Sequence, residues 1–266
     1  MLTIPQRSKT RSGVAYVETG SGEALVLVHG VGMRLEAWAP QIAALRHTHR
    51  VIAVDMPGHG ASERIPSSST LSDFVAWFGT FLDELDIKQA NVAGHSMGAL
   101  IAGGAAARFG DTIRRVALLN AVYKRDATAR TAVRLRAAQI ENGQIDPEAP
   151  LKRWFSEEEV TSEAYRLTGS WLKQIDRQGY ATAYSAFADG DATYADAWPR
   201  ISCPALFLTG EDDPNSTAEM AEVMAKAAQN GVAKIIAGHR HMVNLTAPDV
   251  VNEILKEWLS REAKPS

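Results

Sequence analysis

Short runs that are apolar at nearly every position recur along the chain, with longer amphipathic stretches between them. Ala24-Leu-Val-Leu-Val28 and Val51-Ile-Ala-Val54 are the first two, and Ala90-Asn-Val-Ala93, Val116-Ala-Leu-Leu119, Ala205-Leu-Phe-Leu208 and Ala233-Lys-Ile-Ile236 follow. A run without polar alternation is the pattern of a strand buried on both faces. Ahead of them, Val14, Tyr16 and Glu18 alternate toward the turn Gly20-Ser21-Gly22, which predicts an early strand and hairpin. Helical periodicity fills the intervals: around residues 36–46, over Thr70–Leu85 behind a Thr-x-x-Asp start, and over a stretch rich in small residues at 97–109. Strands alternating with helices predict an α/β protein with a mostly parallel sheet covered on both faces.

The alternation breaks once. Between Tyr123 and the turn Ile201-Ser-Cys-Pro204 no buried strand run occurs; the segment is rich in Ala, Arg and Glu and carries aromatics that include Trp154, Trp171, Tyr180, Tyr184 and Trp198. It reads as a helical insertion over residues 124–200 in a core domain made of residues 1–123 and 201–266. An insertion at the carboxyl end of a strand sits above the edge where open α/β sheets bind ligands, so a cap or lid over a pocket is expected.

Composition narrows the class. The 266 residues are 45% hydrophobic and 22% charged, with 20 Gly and 11 Pro, an ordinary globular balance that excludes collagen-like and disordered chains. A formal charge of −3 offers no basis for a nucleic-acid or anionic-membrane surface. The N-terminus has no apolar stretch suited to a signal peptide, no run of about 18 apolar residues appears, and a single cysteine, Cys203, has no intramolecular partner. These features lead us to expect a cytoplasmic protein with a small-molecule substrate and neither a nucleic-acid nor a membrane partner. No metal-ligand spacing and no cofactor-binding glycine motif is evident, so none is expected.

The chemistry-bearing signal is Gly94-His95-Ser96-Met97-Gly98, between a predicted strand and a predicted helix. G-x-S-x-G in that setting is the pattern of a nucleophile elbow, a sharp turn that lifts the serine hydroxyl above the sheet. The helix starting at Met97 adds its positive dipole end and free N–H groups. His29-Gly30-Val31-Gly32 follows one buried strand and Asp55-Met-Pro-Gly-His-Gly-Ala-Ser62 the next. With these loops in this order, nearly the whole chain resembles the α/β-hydrolase family.

The resemblance implies an eight-stranded, mostly parallel sheet with the insertion after the sixth strand, and a serine, carboxylate and histidine triad in that chain order. Ser96 is the implied nucleophile, and the N–H groups of Val31 and Met97 are the implied oxyanion donors. For the acid, Gly210-Glu-Asp-Asp213 stands after the next-to-last strand; the family's Gly-x-x-Asp selects Asp213, with Asp212 the competitor. For the base, Gly238-His-Arg-His241 offers two histidines. In the family the histidine stands seven positions before the proline that opens the final helix, so the resemblance favours His241, seven before Pro248, over His239, nine before it.

A serine at the elbow points to acyl transfer, with hydrolysis of a small carboxylic ester or lactone as the leading expectation. The alternative is a carbon–carbon bond hydrolase of a ring-cleavage or 2-oxo acid product. Such relatives usually have Asn where His95 stands and an aromatic residue where Met242 stands. A different class, a catalytically silent ligand receptor or a cofactor-free oxygenase, shares the fold. Further substrate-binding candidates are His95, Trp171 and Tyr184, with Arg34 or Arg177 as the cation that an acidic substrate would need.

Overall fold

The computed structural model describes residues 6–263. Eight strands form one sheet: β1 (Ser8–Lys9), β2 (Ala15–Thr19), β3 (Ala24–Val28), β4 (Arg50–Val54), β5 (Ala90–His95), β6 (Ile113–Leu119), β7 (Ala205–Gly210) and β8 (Gly231–Ile236). Their spatial order is β1-β2-β4-β3-β5-β6-β7-β8. The β1–β2 and β2–β4 pairings are antiparallel and all others are parallel.

The expected hairpin around Gly20–Gly22 does not form. β4 lies between β2 and β3, so β2 pairs with Val51–Val54 rather than with the strand that follows it. Gly20 and Gly22 have φ of 82° and 108° and turn the chain against the carbonyls of residues 46–49, where a Cβ at Gly20 would collide with Arg46 and His49. The turn therefore serves a crossing over the start of β4. Register, which local alternation cannot reveal, decides the partner.

Helices cover both faces. α1 (Ala39–Leu45) follows β3, α2 (Leu71–Glu84) follows β4, and α3 (Met97–Arg108) follows β5. Between β6 and β7 lie α4 (Ala127–Glu141), α5 (Glu148–Trp154), α6 (Glu163–Leu172) and α7 (Arg177–Gly190), with no strand among them. α8 (Ala218–Ala227), α9 (Val243–Thr246) and α10 (Pro248–Leu259) complete the chain. The α2 start is a capping box in which Thr70 and Asp73 each satisfy the other's backbone N–H.

Period-two alternation on β3 divides the core. Val26 and Val28 pack with Phe74, Phe78 and Phe81 of α2 on one face. Leu25 and Leu27 pack with Leu45 of α1 and Val251, Leu255 and Trp258 of α10 on the other. A third apolar cluster joins Met33, beyond β3, to Leu151, Phe155, Trp171 and Leu172 of the insertion and to Met242. It seats α5 and α6 on the loops at the carboxyl ends of the strands.

Candidate active site

β5 runs into α3 with a single residue, Ser96, between them, at φ 55° and ψ −115°. A non-glycine residue at positive φ is strained, and the strain is sustained here by close packing on both sides. A Cβ at Gly94 would strike the Gly98 carbonyl, and one at Gly98 would strike the Val28 and His29 carbonyls. Both positions therefore require glycine. Serine is a favoured helix N-cap, yet the Ser96 side chain makes no capping bond to α3, which leaves its hydroxyl free. The Ser96 N–H continues the β5–β6 ladder to the Leu119 carbonyl at 2.8 Å and anchors the turn.

Ser96, His241 and Val31 line one cavity of about 350 Å³ between the strand ends and the insertion, a size suited to a small molecule. His241 Nδ1 lies 2.7 Å from Asp213 Oδ2, and both residues are buried. That partner assigns the Nδ1–H tautomer and turns Nε2 to the acceptor role. Asp213 Oδ1 accepts from the Asn215 and Ser216 N–H groups, at 2.9 and 3.2 Å, and Oδ2 accepts from Asn120 Nδ2 at 2.9 Å. Burial alone would raise the Asp213 carboxyl; the His241 ring and these hydrogen bonds outweigh it and hold the group below the usual carboxylate range.

The neighbouring alternatives lie elsewhere. Glu211 and Asp212 are exposed. His239 is turned to Thr246 Oγ1 at 2.9 Å and Glu159 at 3.5 Å, outside the cavity.

Two buried histidines hold the loop that carries Val31. His29 Nδ1–H donates to the Gly30 carbonyl at 2.8 Å and Nε2 accepts from the Met56 N–H at 2.9 Å. His59 Nδ1–H donates to the Pro57 carbonyl at 3.0 Å and Nε2 accepts from the Gly32 N–H at 3.0 Å. Burial, then the nearby His59 ring, pushes His29 down to about 3, and burial also lowers His59, so both stay neutral and keep their acceptor nitrogens. The Met97 N–H is the first of α3 and has no partner within the helix.

Of the five substrate-binding candidates, only Tyr184 borders this cavity. His95 is buried under it: Nε2–H donates to the His241 carbonyl at 2.7 Å, so the ring holds the main chain of His241 rather than shaping the pocket. Burial, then the His241 ring, lowers His95 to about 3. Arg34 is paired with Glu36 at 2.8 Å, and Arg34 and Trp171 border a separate cavity beside His59 and Asp176. Arg177, at the start of α7, lies on yet another surface with Gly143 and Ser67. The expected cation positions are thus corrected: the guanidiniums that line the Ser96 cavity belong to Arg125, Arg136 and Arg153.

Sequence reasoning also missed Asn120, the residue after β6, whose side chain bonds Asp213 and whose carbonyl accepts from Ser216 Oγ at 2.7 Å. Its only sequence signal is a polar residue directly after the apolar run Val116–Leu119.

Residues 25–254 match the model described as alpha/beta hydrolase family. The chain is 50% identical over 244 residues to (E)-2-((N-methylformamido)methylene)succinate hydrolase of Acinetobacter baylyi, covering 92% of this chain and 93% of that protein. It is 30% identical to 3-oxoadipate enol-lactonase 1 of the same organism, covering 89% and 88%. Among solved structures, the enol-lactonase from Burkholderia xenovorans LB400 superposes with a TM-score of 0.85 at 27% identity, over 96% of this chain and 100% of that one.

Proposed function

The chain belongs to the alpha/beta hydrolase family, and from that premise we propose that it is a serine hydrolase that cleaves a small carboxylic ester or lactone through an acyl-enzyme. The observation that carries this reading is the single cavity lined by Ser96 at the elbow and by His241 hydrogen-bonded to Asp213. Ser96 Oγ attacks the acyl carbon as His241 Nε2 takes its proton. The same proton then passes to the leaving group as the acyl bond breaks. Water, deprotonated by His241, attacks the acyl-enzyme and releases the acid. Asp213 keeps the Nδ1 tautomer and stabilises the imidazolium. The Val31 and Met97 N–H groups receive the oxyanion, a role in which one donor is typically worth about 3 to 4 kcal/mol. Residues 124–200 act as the cap, since α4 and α5 carry Arg136, Arg153 and Trp154 over the serine.

A second bond type has a specific observation in its favour. The 50%-identical relative is named for a substrate that carries an N-methylformamido group, and the same triad transfers a formyl group from nitrogen by the same steps, with nitrogen as the leaving atom.

Turnover of p-nitrophenyl acetate, an enol-lactone, (E)-2-((N-methylformamido)methylene)succinate and a ring-cleavage 2-oxo acid by wild type and Ser96→Ala tests both. Hydrolysis that disappears in Ser96→Ala supports the serine reading, and the preferred compound decides the bond. Activity that survives the substitution, or turnover only of a ring-cleavage 2-oxo acid, contradicts it.

A further inference from the structure

The cavity over Ser96 is unevenly charged. Three guanidiniums line it, and the acidic side chain on its wall, Asp126, is engaged as the N-cap of α4, accepting from the Ala129 N–H at 2.7 Å. Arg125 is buried and partly neutralised, 3.2 Å from Asp191, yet its Nη2 is buried with no hydrogen-bond partner among the described residues. The Arg136 Nε donates to Tyr184 Oη at 3.2 Å, and Arg136 has no salt-bridge partner among the described residues. Arg153, half-buried at the end of α5, has neither an ion pair nor a side-chain hydrogen bond among them. Burial lowers the Arg153 guanidinium, and the Arg136 charge presses it in the same direction against the opposing influence of Tyr184. Desolvated like charges with open donors are costly unless an anion meets them.

The outer face of α4 shows that this arrangement is not a property of the helix as a whole. Arg134, two residues before Arg136 and so on the opposite side of the helix, points outward and is paired with Asp189 at 2.6 Å. Of the three arginines on α4, only Arg136, which lines the cavity, has no salt-bridge partner among the described residues.

We propose that Arg136 and Arg153 form a dianion subsite that takes the two carboxylates of a small dicarboxylate substrate, one at each guanidinium. This assigns the substrate class of the site above and rests on the serine-hydrolase reading. Each carboxylate receives planar N–H donors in the geometry that guanidinium offers, and the acyl group is held over Ser96 by its charged end.

The test is calorimetric titration of the intact protein with succinate, butyrate, succinamide and inorganic phosphate, in wild type, Ser96→Ala, Arg136→Met, Arg153→Met and Arg134→Met. Wild type and Ser96→Ala should bind succinate at least about tenfold more tightly than butyrate, succinamide or phosphate. Arg136→Met and Arg153→Met should each weaken succinate by about tenfold to a hundredfold and abolish the preference over butyrate. Arg134→Met should leave succinate affinity unchanged. Melting temperatures without ligand show whether each variant is folded, and Arg136→Lys and Arg153→Lys, which keep the charge, should recover part of the affinity. Equal binding of succinate and butyrate, phosphate bound as tightly as succinate, or undiminished succinate affinity in folded methionine variants overturns the proposal. Turnover that survives Ser96→Ala with the succinate preference intact would instead overturn the serine-hydrolase reading alone, because this binding readout needs no catalysis.

Discussion

The two walls of the Ser96 cavity treat buried polarity in opposite ways. On the sheet side, His29 and His59 have both ring nitrogens hydrogen-bonded, and Asp213 accepts from His241, Asn120 and two backbone N–H groups. On the insertion side, Arg136 and Arg153 line the cavity with no salt-bridge partner among the described residues. A satisfied network rigidifies its members, whereas open donors are held for a ligand. On the function proposed above, the sheet side serves chemistry that must not move, and the insertion side serves recognition. Substitutions on the two walls should accordingly fail differently, in rate on one side and in affinity on the other.

The largest effect is expected from the histidine pair. His241→Ala should reduce kcat by about 10⁴-fold or more, while His239→Ala, whose side chain faces Thr246 and Glu159, should stay within a few-fold. Steady-state kinetics on any turned-over ester checks this, and the reverse order would exchange the two roles.

Gly98→Ala should come next, because its Cβ would meet the Val28 and His29 carbonyls rather than a yielding side chain. A loss of about 3 kcal/mol or more is expected, visible by calorimetry as a drop in Tm of roughly 6 °C or more. A stability close to wild type would show that the elbow is looser than its packing implies.

A smaller effect follows from the neutral histidines. His29 and His95 are held near 3 in the fold, whereas an unfolded histidine takes its proton at about 6.5. Between those values the unfolded chain binds more protons, so their contribution is complete above about pH 6.5 and is lost as pH falls toward 3. Each contributes a slope of about 1.4 kcal/mol per pH unit in that window. Asp213, held low, loses its contribution in the same direction once pH drops below the ordinary carboxylate range. Denaturant unfolding at pH 7 and pH 5 should show the decline, and His95→Asn should flatten it; an unchanged slope in that variant would mean His95 is not kept neutral.

The smallest effect is expected on the outer face of α4. Arg134→Ala removes an exposed pair with Asp189, and the stability change should stay within about 1 kcal/mol. A larger loss would mean that the insertion depends on its surface charges more than on the Leu151, Phe155 and Trp171 cluster beneath it.

The same contrast explains what could be read from the chain. The elbow was legible because its demands are local: a buried strand, G-x-S-x-G and a helix stand consecutively in residues 90–109, and the need for glycine at 94 and 98 comes from backbone sterics. The central strands were legible for a similar reason, since each is a self-contained apolar run. The hairpin at Gly20–Gly22 was misread because the partner of β2 is β4, which lies further along the chain. The guanidiniums were misassigned because α4 carries Arg130, Arg134 and Arg136, and only the packing of α4 on α7 decides which of them faces inward. His95 and Asn120 were invisible as supports of His241 and Asp213 because their bonds cross from one strand end to another, a relation that exists only after the sheet has formed.

The claim on which the rest depends is that Ser96 is the reactive nucleophile and His241 its base. Incubation with a fluorophosphonate, followed by peptide mass spectrometry, tests it directly. The account predicts one covalent adduct on Ser96, lost in Ser96→Ala and strongly slowed in His241→Ala; no adduct on wild type, an adduct on another residue, or undiminished labelling in the two variants would contradict it.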